Sequence, residues 1–167
     1  RGYESYNLMA HVQEKGWKYL IRIKDIHSSG IACGLELPDR DVFDVKIDLN
    51  LTTRQTKEVK KLCQNRNRYR FVPTSHAFDF LPRENRKQDP VVFYSLPFRI
   101  VRFKISDSAY ETVVTNLGTE DFPPDELKRL YGMRWGIETS FRELKYTVGL
   151  LHFHAKKVEN ITQEIFA

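Results

Sequence analysis

Near the C-terminal end, Tyr131, Arg134, Glu138 and Lys145 stand in the stretch LYGMRWGIETSFRELKYTVGL with two, three and six residues between them. At about 100° per residue, a helix projects these four side chains at roughly 0°, −60°, −20° and −40°, a strip under a quarter-turn wide. A phosphodiester and a divalent cation suit such a strip. Arg offers a bidentate fork to phosphate, Lys a point charge and Tyr a donor on a rigid ring, while a carboxylate is the hard ligand that Mg²⁺ prefers. The bland alternative is that Arg134 and Glu138 form an (i, i+4) pair decorating a solvated helix face. The neighbouring residues argue against it. Met133, Ile137, Phe141, Leu144, Val148 and Leu151 fall at roughly −80° to −160°, which predicts a core-facing stripe beside the polar one. The four polar residues are then expected at the rim of the core.

This stretch resembles the YREK signature of bacterial insertion-sequence transposases in the DDE superfamily. All four signature residues keep the family spacing, Trp135 and Ile137 fill the RW-x-IE context, and residues 141–145 read FRELK. Two further landmarks agree. Arg1, Gly2, Tyr3, Glu4 and Ser5 resemble the segment that follows the second catalytic aspartate in that family, and VVTNL at 113–117 is similar to the strand preceding the signature helix. The middle of the chain matches only in general character.

The resemblance implies an active site of two aspartates and one glutamate. Glu138 would be that glutamate and a metal ligand, while Tyr131, Arg134 and Lys145 would contact backbone phosphates of the transposon end. The cofactor implied is Mg²⁺ or Mn²⁺, two ions about 3.5–4 Å apart that activate the attacking oxygen and stabilise the leaving one. Neither aspartate is in the sequence; the second is expected immediately before Arg1. The chain is therefore expected to be an internal piece of a longer protein, inactive alone. The implied partners are DNA, as terminal inverted repeats and as target, and a second copy in a homodimer that holds both ends. The implied location is the bacterial cytoplasm, at the nucleoid. Two alternatives stay open: a related nuclease that cuts without joining, and a repurposed transposase that binds DNA only.

The elements that must position the stripe follow from local patterning. Residues 4–15 read as a short helix stopped by Gly16, and residues 17–24, WKYLIRIK, alternate as a strand does. Strand character recurs at 42–51, 69–72, 91–105 and 110–117, with a helix expected over 52–64. Pro123 and Pro124 fit the start of the helix leading to Tyr131. The fold class expected is α/β (α+β): a partial ribonuclease-H-like domain split by a mostly β insertion. Its divisions are residues 1–24 as helix and strand of the catalytic core, 25–117 as the insertion, and 118–167 as the C-terminal helices bearing the signature.

With 27 Lys and Arg against 22 Asp and Glu, the net charge of +5 favours a nucleic-acid partner, although only weakly. Cys33 and Cys63 are too few for a disulfide framework, which suits a reducing compartment. No apolar run approaches the roughly 20 residues needed to cross a bilayer. Two cation groups invite opposite readings. In VVFYSLPFRIVRFKI (91–105), the aromatic residues are expected on the core face with Arg99, Arg102 and Lys104 facing water; the functional alternative is a single-strand platform of stacking rings and cations. Lys57, Lys60, Lys61, Arg66, Arg68 and Arg70 form either a solvated helix face running into a loop or a DNA contact. Both tryptophans, Trp17 and Trp135, lie outside 25–117, so the insertion lacks the stacking tryptophan that hairpin-forming relatives use. His152 and His154 lack a third ligand at metal spacing and are expected on the surface. Residues 82–90, PRENRKQDP, read as an exposed loop.

Overall fold

The computed structural model describes residues 4–26, 28–82 and 89–147. Its elements are α1 (Tyr6–Glu14), β1 (Leu20–Arg22), β2 (Phe43–Thr52), α2 (Lys57–Leu62), β3 (Tyr69–Phe71), β4 (Tyr94–Ser106), β5 (Ala109–Thr115) and α3 (Pro124–Thr147). The strands form one sheet in the order β1-β5-β4-β2-β3. Strands β2 and β3 pair in parallel and every other neighbouring pair is antiparallel. This mixed sheet with few helices is the α/β class expected, consistent with a partial ribonuclease-H-like domain. The chain divides into two compact units, Arg1–Pro124 and Asp125–Ala167. No helix among the described residues is long and apolar enough to cross a membrane.

Helix α1 begins after Ser5, whose backbone is extended, and ends where Gly16 turns left-handed at φ 65°. That turn lets Gly16 N–H reach Gln13 O at 2.8 Å and Trp17 N–H reach Val12 O at 3.0 Å, the paired bonds that close a helix C-terminus. The expected strand at 17–24 narrows to β1, because Asn116 replaces part of the ladder with its side chain. It accepts from Tyr19 N–H at 3.0 Å and donates to Trp17 O at 2.8 Å. The helix expected over 52–64 narrows to α2. Thr52 belongs to β2, fully buried and paired with Phe71, and the helix waits for Thr56, whose hydroxyl accepts from Val59 N–H at 3.2 Å. Helix α2 thereby lies on the crossover that the parallel pair β2 and β3 requires.

One sheet face builds the core. Leu49, Leu96, Phe98, Ile100, Ile47 and Val114 pack there with Met9 and Ala10 of α1, and with Ile31, Phe78 and Leu81 from the connections. Emptying one such position costs about 2–5 kcal/mol for a Leu→Ala change. The opposite face of the central strands is also covered, since Val101, Val113 and Phe103 are buried as well. Two-sided burial overturns the expectation that the cations of 91–105 face water. Arg99 is 3 % exposed and Arg102 8 %, because neighbouring segments supply carboxylates to them. Lys104 alone of the three is exposed, paired with Asp107 at 3.1 Å in the β4–β5 turn.

Candidate nucleic-acid interface

Helix α3 opens at Pro124, as the two prolines predicted, with Asp125 and Glu126 in a first turn where the helix dipole favours acids. Glu126 accepts from Arg129 at 2.6 Å, which holds its carboxyl below the usual range. Two of the four stripe residues are brought into contact. Arg134 Nη2 donates to the Tyr131 hydroxyl at 3.1 Å, and the guanidinium lies 5.0 Å from the centre of the phenol ring. Tyr131 is 4 % exposed while Arg134 is exposed, so this pair spans the boundary between interior and surface. A phenol oxygen that accepts from a cation is a better donor through its own hydrogen, and both groups suit an anionic oxygen. Glu138 and Lys145 fall on the α3 backbone in the predicted register; their side chains lie outside the described residues, as do those of Ile137, Phe141 and Leu144. Val148, Leu151, His152, His154 and most of the 82–90 loop lie outside them altogether.

Met133 corrects the predicted core stripe: it is 59 % exposed, with its sulfur accepting from Arg129 at 3.8 Å. The buried described positions of the helix are Leu127 and Tyr131. On a helix these two lie about 40° apart, and Met133 lies about 160° from Tyr131. Among the described side chains, the buried side is thus that of Tyr131.

Sequence reasoning missed three arrangements in the first unit. Glu4, in the RGYES segment, accepts from Ile31 N–H at 2.6 Å and Lys24 N–H at 3.1 Å. Gly30 makes that contact possible, since a Cβ there would lie 2.2 Å from the Glu4 carboxylate. The second is Arg99, which forms a bidentate pair with Asp44 at 3.1 and 2.5 Å and donates to the Leu117 and Phe122 carbonyls at 2.8 and 3.1 Å. The third is a cleft of about 400 Å³ at the Asn116 clamp, where Trp17 is 61 % exposed with Lys15 4.7 Å above its ring. Only the Glu4 and Gly30 pair left a signal, an acid and a glycine in a short helix–strand–loop unit, and nothing in it specified that they meet.

Metal chemistry requires several hard ligands in one place. Among the described residues no group of three His, Cys, Asp or Glu could hold an ion. Glu138 has the right donor chemistry, yet a single carboxylate does not make a site.

A family model described as Transposase DDE domain matches residues 1–167, the whole chain. No curated protein and no solved structure matches it.

Proposed function

Because the chain belongs to the Transposase DDE domain family, whose members transfer phosphoryl groups on DNA and generally use divalent metal ions, we propose that α3 carries the YREK signature of bacterial insertion-sequence transposases. In this reading the intact protein cuts transposon ends and joins them to target DNA as a homodimer. Residues 25–117 are the mostly β insertion between the two parts of the catalytic core, 1–24 and 118–167. The observation that carries the reading is the Arg134–Tyr131 pair, because it sets a guanidinium and a polarised phenol together at the helix surface.

Arg134 and Tyr131 hold a phosphate of the transposon end, and Lys145 adds a point charge further along the helix. Such contacts fix the strand without reading its bases. Glu138 would be the one carboxylate this chain contributes to a divalent ion, and such an ion would supply charge neutralisation at the phosphorus and activation of the attacking oxygen. The chain alone, with one such carboxylate on α3, is inactive.

The test is Glu138→Gln in the intact protein. It is expected to abolish cutting and joining while leaving end binding unchanged. Equal loss of binding overturns the metal-ligand role. Products that are cut but never joined assign the protein to the nuclease alternative, and binding with no cutting by the unsubstituted protein assigns it to the DNA-binding one.

A further inference from the structure

Two groups of cations in the first unit are treated differently by the fold. Arg22, Arg99, Arg102 and Lys104 each meet a carboxylate, and Arg70 turns inward to the carbonyls of Ile31 and Cys33 and to the Tyr6 hydroxyl. Lys57, Lys60, Lys61, Arg66 and Arg68 do none of this. All five are exposed, and among the described residues no carboxylate pairs with any of them. They occupy α2 and the connection to β3, a continuous stretch of twelve residues from 57 to 68.

That stretch is held in place by its own backbone. Gln64 N–H bonds Lys61 O at 3.1 Å, Asn65 N–H bonds Leu62 O at 3.0 Å, and Arg68 and Tyr69 N–H both bond Asn65 O, at 3.1 and 3.0 Å. Arg68 O in turn accepts from Asn50 N–H at 2.7 Å on β2. The charges are therefore presented from an ordered scaffold, not from a loose tail. Their arrangement is unfavourable for the isolated fold. Lys57 and Lys61 are like charges at (i, i+4), and Lys57 sits at the first helical residue, where the dipole disfavours a cation. Glu58, the acid on this helix, is bonded to its own backbone amide and to the Thr56 hydroxyl, which hold its carboxyl below the usual range. Gln64, Asn65 and Asn67 stand among the cations as well.

We propose that Lys57, Lys60, Lys61, Arg66 and Arg68 form a second DNA-contact surface, built by the first unit alone, which takes the sugar-phosphate backbone of duplex DNA without reading sequence. The proposal rests on the reading of the chain as DNA-acting. Cations without internal partners on an ordered surface gain by displacing the counterions condensed on duplex phosphates. The competing physical role is protection of β3, an edge strand, since edge lysines and arginines prevent strands of separate molecules from pairing.

The test uses the intact protein and a fluorescent random-sequence duplex, with affinity measured by anisotropy across a sodium chloride series. For the unsubstituted protein, the logarithm of affinity falls linearly with that of salt. Replacing all five cations by Gln is expected to flatten the slope by about 4.5, near 0.9 for each phosphate no longer neutralised. Five single Gln variants, each flattening it by about 0.9, serve where the combined one does not fold. Lys→Arg at 57, 60 and 61 is expected to keep the slope. An unchanged slope with DNA still bound overturns the surface while leaving the family reading intact. So does self-association of the Gln variant, seen by light scattering, with that slope unchanged, which assigns the residues to edge protection. Absence of any duplex binding by the unsubstituted protein overturns the surface through its premise.

Discussion

Arg99 and Arg102 on β4 are chemically the same kind of residue as Arg66 and Arg68 before β3, yet the fold treats the two pairs in opposite ways. Strand β4 lies in the middle of the sheet, covered on both faces, and its cations are buried against Asp44 and Asp25. The 57–68 stretch runs along the sheet's margin, where its cations meet water. The difference is one of position within the sheet. A strand with solvent on one face sends alternate residues to water, whereas a central strand buried on both faces must neutralise any charge it carries. Basic residues interleaved with aromatic ones are thus no sign of a nucleic-acid surface until the strand's place is known.

The most forceful way to break this comparison is Arg99→Ala. It strands the largely buried Asp44 carboxylate and leaves two carbonyls, those of Leu117 and Phe122, without their donor. A loss of about 3–5 kcal/mol is expected, read as a lower midpoint in urea denaturation. Replacing both partners, as Arg99→Met with Asp44→Leu, removes the stranded charge and recovers part of that loss. About 1–3 kcal/mol remains for the unsatisfied carbonyls. A single variant as stable as the parent would show that Arg99 is not an internal tie.

A smaller effect is expected at Arg102, whose side chain is buried but whose partner Asp25 is about half exposed. Arg102 Nε also donates to Asp41 O at 3.2 Å, and its guanidinium lies 5.2 Å from the Tyr110 ring. Arg102→Ala leaves no deeply buried acid behind, so a loss of about 1.5–3 kcal/mol is expected, the range for hydrogen bonds to charged groups. A loss as large as that of Arg99→Ala would show that exposure of the partner does not set the cost.

Much of this architecture was legible in the sequence. All five strands overlap the stretches of apolar and aromatic patterning, with β2, β4 and β5 each running one residue beyond them, because neighbours two apart share a face and local chemistry alone encodes that period. Gly16 and the prolines at 123 and 124 likewise marked helix ends through their own backbone preferences. The failures were tertiary. The sequence showed Asp44 and Arg99 without their pairing, which exists only because β2 and β4 are neighbours in a register that sets Lys46 opposite Arg99. Helical spacing placed Tyr131 and Arg134 together correctly, but it put Met133 in the interior, where the structure leaves it exposed. Periodicity defines the faces of a helix; the rest of the molecule decides which is covered.

The smallest expected effect is the one that sharpens the comparison most. Lys61→Gln removes a side chain that is exposed and has no acid partner among the described residues, so it breaks no ion pair there and relieves a like-charge repulsion with Lys57. The change in unfolding free energy is expected within about 0.5 kcal/mol of zero, the usual range for surface positions. Thermal unfolding in low salt checks this, since low ionic strength magnifies any charge interaction that exists. A destabilisation above about 1 kcal/mol, more than exposed positions ordinarily show, would mean that Lys61 holds the fold as Arg99 does. The cations of α2 would then be internal supports, and position in the sheet would not be what separates the two groups.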